Sequence, residues 1–473
     1  MVSDSKLSIL FVLESAPETS SSLAFFNSYI DALITPLSEE VNLFIYYPEI
    51  NENEELYSLN IVPSSEFTRL ITYIPSRFIS YKETFSNPEM DNVFEYILKE
   101  HSFDGIHFWS FKNHSMNYPL IAKERGLFTV TTVSDGFLFS NSVFNKGVAD
   151  PTEEKVRISN FVDSPVSVFF KRAKKFFSSD SIRTSWYENV GRYSSYYNKT
   201  SLNSVERSTM MERAELANSA IGLSDRVIFL SELEYNLFYR TLIPEDKTLF
   251  LEQGVFCDGT FDNRPFEIEG AVKFGFMGEI IPEDGILDLI KAFNALYDDG
   301  FMNEVHIYGE LFENSPYFSR LNRKVQNPNT YFHGPIEPGR INSVFNTFDV
   351  LVLPSKWHRS DTFLLNSAIM SRKAIICSSR HIVAEKVRKY ARGLILDEIT
   401  PENLYNAVSE LERNRKRLYY FMRVTNDFNA PKIKDNMNKL IDIYSKFKTD
   451  SIKESQLLLQ KKLNRRKTER HRG

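Results

Sequence analysis

A chain of 473 residues exceeds what one hydrophobic core sustains, since single cores stop growing at about 250–300 residues, so two or more domains are expected. With 42% hydrophobic residues, 39 Phe and 23 Tyr beside 25% charged residues, the composition excludes a wholly disordered protein. A formal charge of -5 leaves no overall basic footprint for nucleic acid, and two cysteines, Cys257 and Cys377, exclude a disulfide framework and a cysteine zinc site.

Residues 7–13 form the first apolar run. The run is too short to span a membrane and lacks a basic leader segment or small-residue cleavage site, so it reads as a strand. With two thiols suited to a reducing compartment, the expected location is cytoplasmic. Runs at 41–46, 105–109 and 127–133 are also continuously apolar, the pattern of parallel strands buried on both faces. Helical stretches at 23–37 and 118–125 supply the crossovers that parallel strands need.

Residues 140–210 interrupt this pattern with a polar, Ser-rich and aromatic insertion. Within it, 168–177 has Phe and Lys/Arg at helical spacing, which fits either a helix docked on the domain or a basic amphipathic helix lying on the inner membrane face. The stretch 254–270 reads as a linker. Further apolar runs follow at 272–277, 304–308, 349–353, 374–377 and 393–396, with a helix carrying Ile286, Leu289, Ile290, Phe293 and Leu296 on one face. Residues 449–473 form a basic tail, expected to be disordered, which fits either attraction to acidic lipid or nucleic acid or a solubilising tail of no specific role. Asn113 and Asn198 begin sequons that, without a secretion signal, carry no weight.

An ordered series of motifs resembles the family 4 glycosyltransferases of GT-B fold. It comprises 225–231 (Asp-Arg-Val-Ile-Phe-Leu-Ser), 253–258 (Gln-Gly-Val-Phe-Cys-Asp) with Phe261, and 276–285 (Phe-Met-Gly-Glu-Ile-Ile-Pro-Glu-Asp-Gly). These are followed by 307–310 (Ile-Tyr-Gly-Glu), 332–335 (Phe-His-Gly-Pro) and 349–355 (Asp-Val-Leu-Val-Leu-Pro-Ser). In the first half, 103–107 (Phe-Asp-Gly-Ile-His) and 133–135 (Val-Ser-Asp) add to the series. The resemblance implies an α/β protein of two doubly wound Rossmann-like domains facing each other across a cleft. Residues 1–255 would face the acceptor, 256–448 would bind the nucleotide sugar, and the tail would follow. It also implies transfer of a sugar, with retention, from a nucleotide-diphosphate sugar to a hydroxyl of a glycan, a lipid-linked glycan or a protein.

Gly278, Gly309 and Gly334 each end an apolar run, where the absence of a side chain lets phosphate or base approach the backbone. The family uses an Arg and a Lys to neutralise the diphosphate; those positions hold Glu279 and Asp284 here, which would repel it unless a divalent metal ion or an outside Arg/Lys intervenes. Ungapped alignment brings His358 and Asn366 to the positions of the family's two glutamates, near the sugar and on the ribose. A small gap brings Asp361 to the first, although Ser360 and Asp361 also suit a helix cap. Glu310 and Glu385 complete the expected donor site, and Asp135 is expected to serve as an acceptor-side base or as a partner for a ligand hydroxyl. His107, inside an apolar run, is expected to be structural. The substitutions leave a second reading open: a silent GT-B scaffold that binds a partner enzyme or glycan.

Overall fold

The computed structural model of the chain describes residues 6–17, 24–51, 53–75, 78, 80, 82–133, 204–240, 242–255, 268–309, 316–336, 340–356, 362–379, 384–423, 428 and 430–446. Most of the insertion, the 168–177 stretch, residues 256–267 of the linker stretch and the basic tail lie outside the described residues.

Two sheets follow one another in the sequence. The first comprises β1 (Ser8–Val12), β2 (Asn42–Ile50), β3 (Leu59–Pro63), β4 (Phe67–Ile74), β5 (Gly105–Phe108), β6 (Phe128–Val133), β7 (Arg226–Phe229) and β8 (Thr248–Phe250). Its order is β3-β4-β2-β1-β5-β6-β7-β8, and every neighbouring pair is parallel except the β3–β4 edge hairpin. The second comprises β9 (Lys273–Met277), β10 (Glu304–Tyr308), β11 (Thr330–Gly334), β12 (Val350–Leu353), β13 (Ala374–Ser378) and β14 (Gly393–Leu396). It is wholly parallel, in the order β11-β10-β9-β12-β13-β14. The apolar runs of the sequence fall on β1, β2, β5, β6, β9, β10, β12, β13 and β14.

Continuous apolarity has the expected cause, because successive side chains enter different cores. In β1, Ile9 and Phe11 face one core while Leu10 and Val12 face another. In β12, Leu351 and Leu353 join the first of these cores, and Val350 and Val352 pack with Phe274 and Phe276 under the outer helices. One core is therefore shared by both sheets, and along it lie helices α1 (Ala24–Glu40), following β1, and α7 (Thr362–Met370), following β12.

Between them in chain order come α2 (Pro88–Glu100), α3 (Tyr118–Glu124), α4 (Ser204–Leu223), α5 (Ile286–Asp298) and α6 (Pro316–Asn322); α8 (Ala384–Lys389), α9 (Pro401–Arg413) and α10 (Arg415–Met422) follow α7. In α2, Asn87 caps the backbone of Glu89 and Met90, Pro88 opens the first turn, and Met90, Val93, Phe94, Ile97 and Leu98 form the buried face. In α5, Ile286, Leu289, Ile290, Phe293 and Leu296 are buried, as their spacing predicts.

The last described helix, residues 433–446, returns to the first sheet. Its Ile433, Met437, Leu440 and Tyr444 enter the shared core. Tyr444 Oη is 2.7 Å from His107 Nδ1, and the other ring nitrogen is 2.7 Å from Thr132 Oγ1. His107 is thus held between β6 and this helix, stacked on Trp109 at 4.0 Å, and burial drives its pKa well below the usual value.

Candidate functional site

Each sheet has a point where the strand order reverses, and open α/β sheets bind ligands in the crevice beyond the carboxyl ends of the strands there. In the first sheet β1 is flanked by β2 on one side and β5 on the other; in the second, β9 is flanked by β10 and β12. The residues that follow β9 and β12 are those singled out from sequence.

Gly278, Gly309 and Gly334 come together along this edge. The Gly278 amide donates to the Tyr308 carbonyl at 3.1 Å, and the Gly309 amide to that of Gly334 at 2.9 Å. A Cβ on Gly309 would lie 2.2 Å from the Gly278 carbonyl oxygen, so this residue must be glycine for the strand ends to meet, with or without a ligand. Gly285 carries φ 72°, and a Cβ there would lie 2.2 Å from the Pro354 carbonyl oxygen. It therefore joins the loop after β9 to the segment after β12. Glu279 and Asp284 are both buried on this edge, and the Asp284 carboxylate approaches within 3.6 Å of where a Gly278 Cβ would stand.

Asn366, fully buried in α7, is engaged by the protein itself. Its amide donates to Glu252 Oε1 at 2.8 Å and to the Gln253 carbonyl at 3.0 Å, while its oxygen receives Lys386 Nζ at 2.9 Å. Lys386, in the first turn of α8, also forms an ion pair with Glu252. Gln253 Oε1 accepts from the Phe363 amide and the Thr362 hydroxyl, and Asn436 Nδ2 donates to the Glu252 carbonyl. The segment 252–255 between the sheets is thereby clamped to α7 on one side and to the returning C-terminal helix on the other. Val255 completes the clamp by pairing with Lys432.

At the carboxyl edge of the first sheet, Glu14 follows β1 and Lys112 follows β5. Both are buried and lie 3.6 Å apart, and Ser110 donates to Glu14 at 3.2 Å. His114 Nε2 donates to the Leu13 carbonyl at 2.6 Å, and burial holds its pKa down to about 4, so the ring is neutral. Glu14, Lys112, Glu252 and Lys386 belong to none of the motifs found in the sequence, whereas Gln253 opens one of them. Glu14 had one usable signal, a charge directly ending an apolar run.

Asp135, Glu310, His358 and Asp361 lie outside the described residues, and Glu385 is exposed on α8. Among the described residues no three His, Cys, Asp or Glu side chains gather as a metal site, and no helix is long and apolar enough to cross a membrane.

Residues 271–414 match the family model described as Glycosyl transferases group 1. Sucrose-phosphate synthase from Thermosynechococcus elongatus superposes with a TM-score of 0.59 at 12% identity, covering 96% of this chain and 99% of that one. HepE from Anabaena, solved in complex with UDP and glucose, gives 0.56 at 12% identity over 93% and 99%. A glycosyltransferase from Rickettsia africae gives 0.53 at 15% identity over 93% and 98%.

The fold is GT-B.

No protein of curated function matches the sequence. Within the GT-B arrangement the carboxyl edges of the two sheets meet through the helices that leave them: Tyr29 of α1 and Phe363 of α7 pack with ring centroids 6.2 Å apart.

Proposed function

We propose that this chain moves a sugar from a nucleoside-diphosphate donor in the β9/β12 crevice to a hydroxyl of a glycan, a lipid-linked glycan or a protein at the β1/β5 crevice. The observation that carries this reading is the Gly278–Gly309 edge. It is backbone without side chains of its own at the carboxyl side of the sheet that matches the glycosyltransferase family, and it leaves a diphosphate room to approach the main chain beside Asp284. The complex of HepE with UDP supports a nucleotide-sugar donor.

In this reading residues 256–448 bind the donor and 1–255 face the acceptor. The bond from the sugar C1 to the diphosphate breaks, the acceptor oxygen bonds to C1 with retention, and a carboxylate such as Asp135 takes the acceptor proton. Asp361 or His358 lies beside the sugar, Gly334 and Glu310 border the nucleotide, and Glu14 and Lys112 orient acceptor hydroxyls. Asn366 acts by holding Lys386 and the crossing segment. A silent scaffold remains the second reading, favoured by the two buried carboxylates Glu279 and Asp284 on the edge a diphosphate would use.

A thermal-shift titration with UDP, GDP and their sugar conjugates, with and without Mg²⁺ or Mn²⁺, separates the two. A ligand at a hundred times its Kd stabilises the fold by about 2.7 kcal/mol. A saturable rise in Tm supports the transferase; no rise with any nucleotide sinks it in favour of the scaffold.

A further inference from the structure

Resting on the nucleotide-sugar reading, we propose that Lys386 is the cation that receives an anionic oxygen of the donor's diphosphate in this chain. The positions that resemblance assigns to cations hold Glu279 and Asp284, so the charge must come from elsewhere. Lys386 is the third residue of α8, which leaves the carboxyl end of β13, so it stands at the same edge as Gly278 and Gly309. Its ammonium has three hydrogens to donate. Its polar partners are Asn366 Oδ1 and Glu252, and it lies 5.4 Å from the centre of the Phe428 ring. Among the described residues one N–H therefore has no polar acceptor, while the side chain keeps 22% of its surface open to an incoming oxygen.

Among the described residues Glu252 faces it from the crossing segment, Lys389 repels it from its own helix, and α7 presents neutral Asn366. Burial first, then Lys389, draw its pKa down to about 7. A half-desolvated ammonium of this kind gains from a second anion, and a diphosphate supplies one.

The test is isothermal titration of the full chain with UDP and with uridine, or with GDP and guanosine if the guanine nucleotide gives the larger thermal shift. Wild type is compared with K386M and K386R. Because hydrogen bonds between charged groups are the strong ones, K386M should weaken the diphosphate by roughly tenfold or more while leaving the nucleoside unchanged. K386R should fall between the two. In wild type, relative to K386R, diphosphate affinity should decline as pH rises through about 7, because the ammonium must be protonated to bind. If K386M does not fold, K386R and this pH profile carry the test. Unchanged diphosphate binding in K386M, an equal loss of nucleoside binding, or identical pH profiles would overturn the role of Lys386 while leaving the donor reading intact. A wild-type chain that binds neither compound defeats both.

Discussion

Replacing Asn366 by Ala removes three hydrogen bonds at one fully buried position. The loss is largest at the Gln253 carbonyl, 3.0 Å away, which would be left buried without that donor. The bonds to Glu252 and Lys386 count for less, since those side chains keep 28% and 22% of their surface exposed and water can replace the amide. One buried unsatisfied group and two discounted charged bonds together cost about 2–5 kcal/mol. That corresponds to a fall of roughly 2–5 °C in Tm for a 473-residue chain whose two sheets share a core. Asn366→Asp should be worse at neutral pH. One carboxylate oxygen keeps Lys386, but the other faces Glu252 Oε1 and the Gln253 carbonyl with no hydrogen to give. Burial beside these acceptors raises the new carboxyl's pKa, so N366D should recover as pH falls and the group gains a proton. Melting curves of wild type, N366A and N366D across that range decide the matter. An N366A melting point within about 1 °C of wild type, or N366D above N366A at neutral pH, refutes this account of the clamp.

Gly309→Ala should lower Tm by the equivalent of about 1–3 kcal/mol through overpacking against the Gly278 carbonyl and should abolish any nucleotide-induced shift. Gly222→Ala, with open space around it near the end of α4, should instead be neutral or stabilising by up to about 1 kcal/mol, which makes it the control. The folded-state pKa values of His107 and His114 lie below the unfolded one. The stability they contribute is therefore complete above about 6.5 and is lost as pH falls, for His114 down to about 4, at up to about 1.4 kcal/mol per pH unit for each, which denaturant midpoints against pH will read. Burial pushes the Cys377 thiol up to about 12, so iodoacetamide labelling followed by peptide mapping should find it unmodified in the native chain and modified after unfolding.

The strands that carry the two crevices were legible because each is apolar on both faces. Not so β4, where Thr68, Arg69 and Thr72 break the run; Thr72 nevertheless sits buried, its hydroxyl donating to the Ser58 carbonyl at 3.0 Å. The glycine edge was legible from position alone, as each glycine ends a strand. What could not be read was long-range pairing. Asn366 finds Glu252 114 positions away, and His107 finds Tyr444 337 positions away, and no local periodicity encodes such partners. Lys386 was hidden for a related reason, since a lysine in a six-residue helix with Arg388 and Lys389 resembles any solvated face. The expectation that Asn366 would meet a ribose rested on alignment, whereas the contacts found for it are with the clamp.

The returning helix has a consequence for cutting the chain. Because residues 433–446 fill the core beneath β1 and β5, cleavage within 256–267 would leave two pieces of which the second still carries part of the first sheet's interior. Such a nicked protein should stay together and melt as one body. Expression of residues 1–255 alone should yield a piece with Phe11, His107 and Trp109 uncovered, which folds only when the C-terminal segment is supplied in trans.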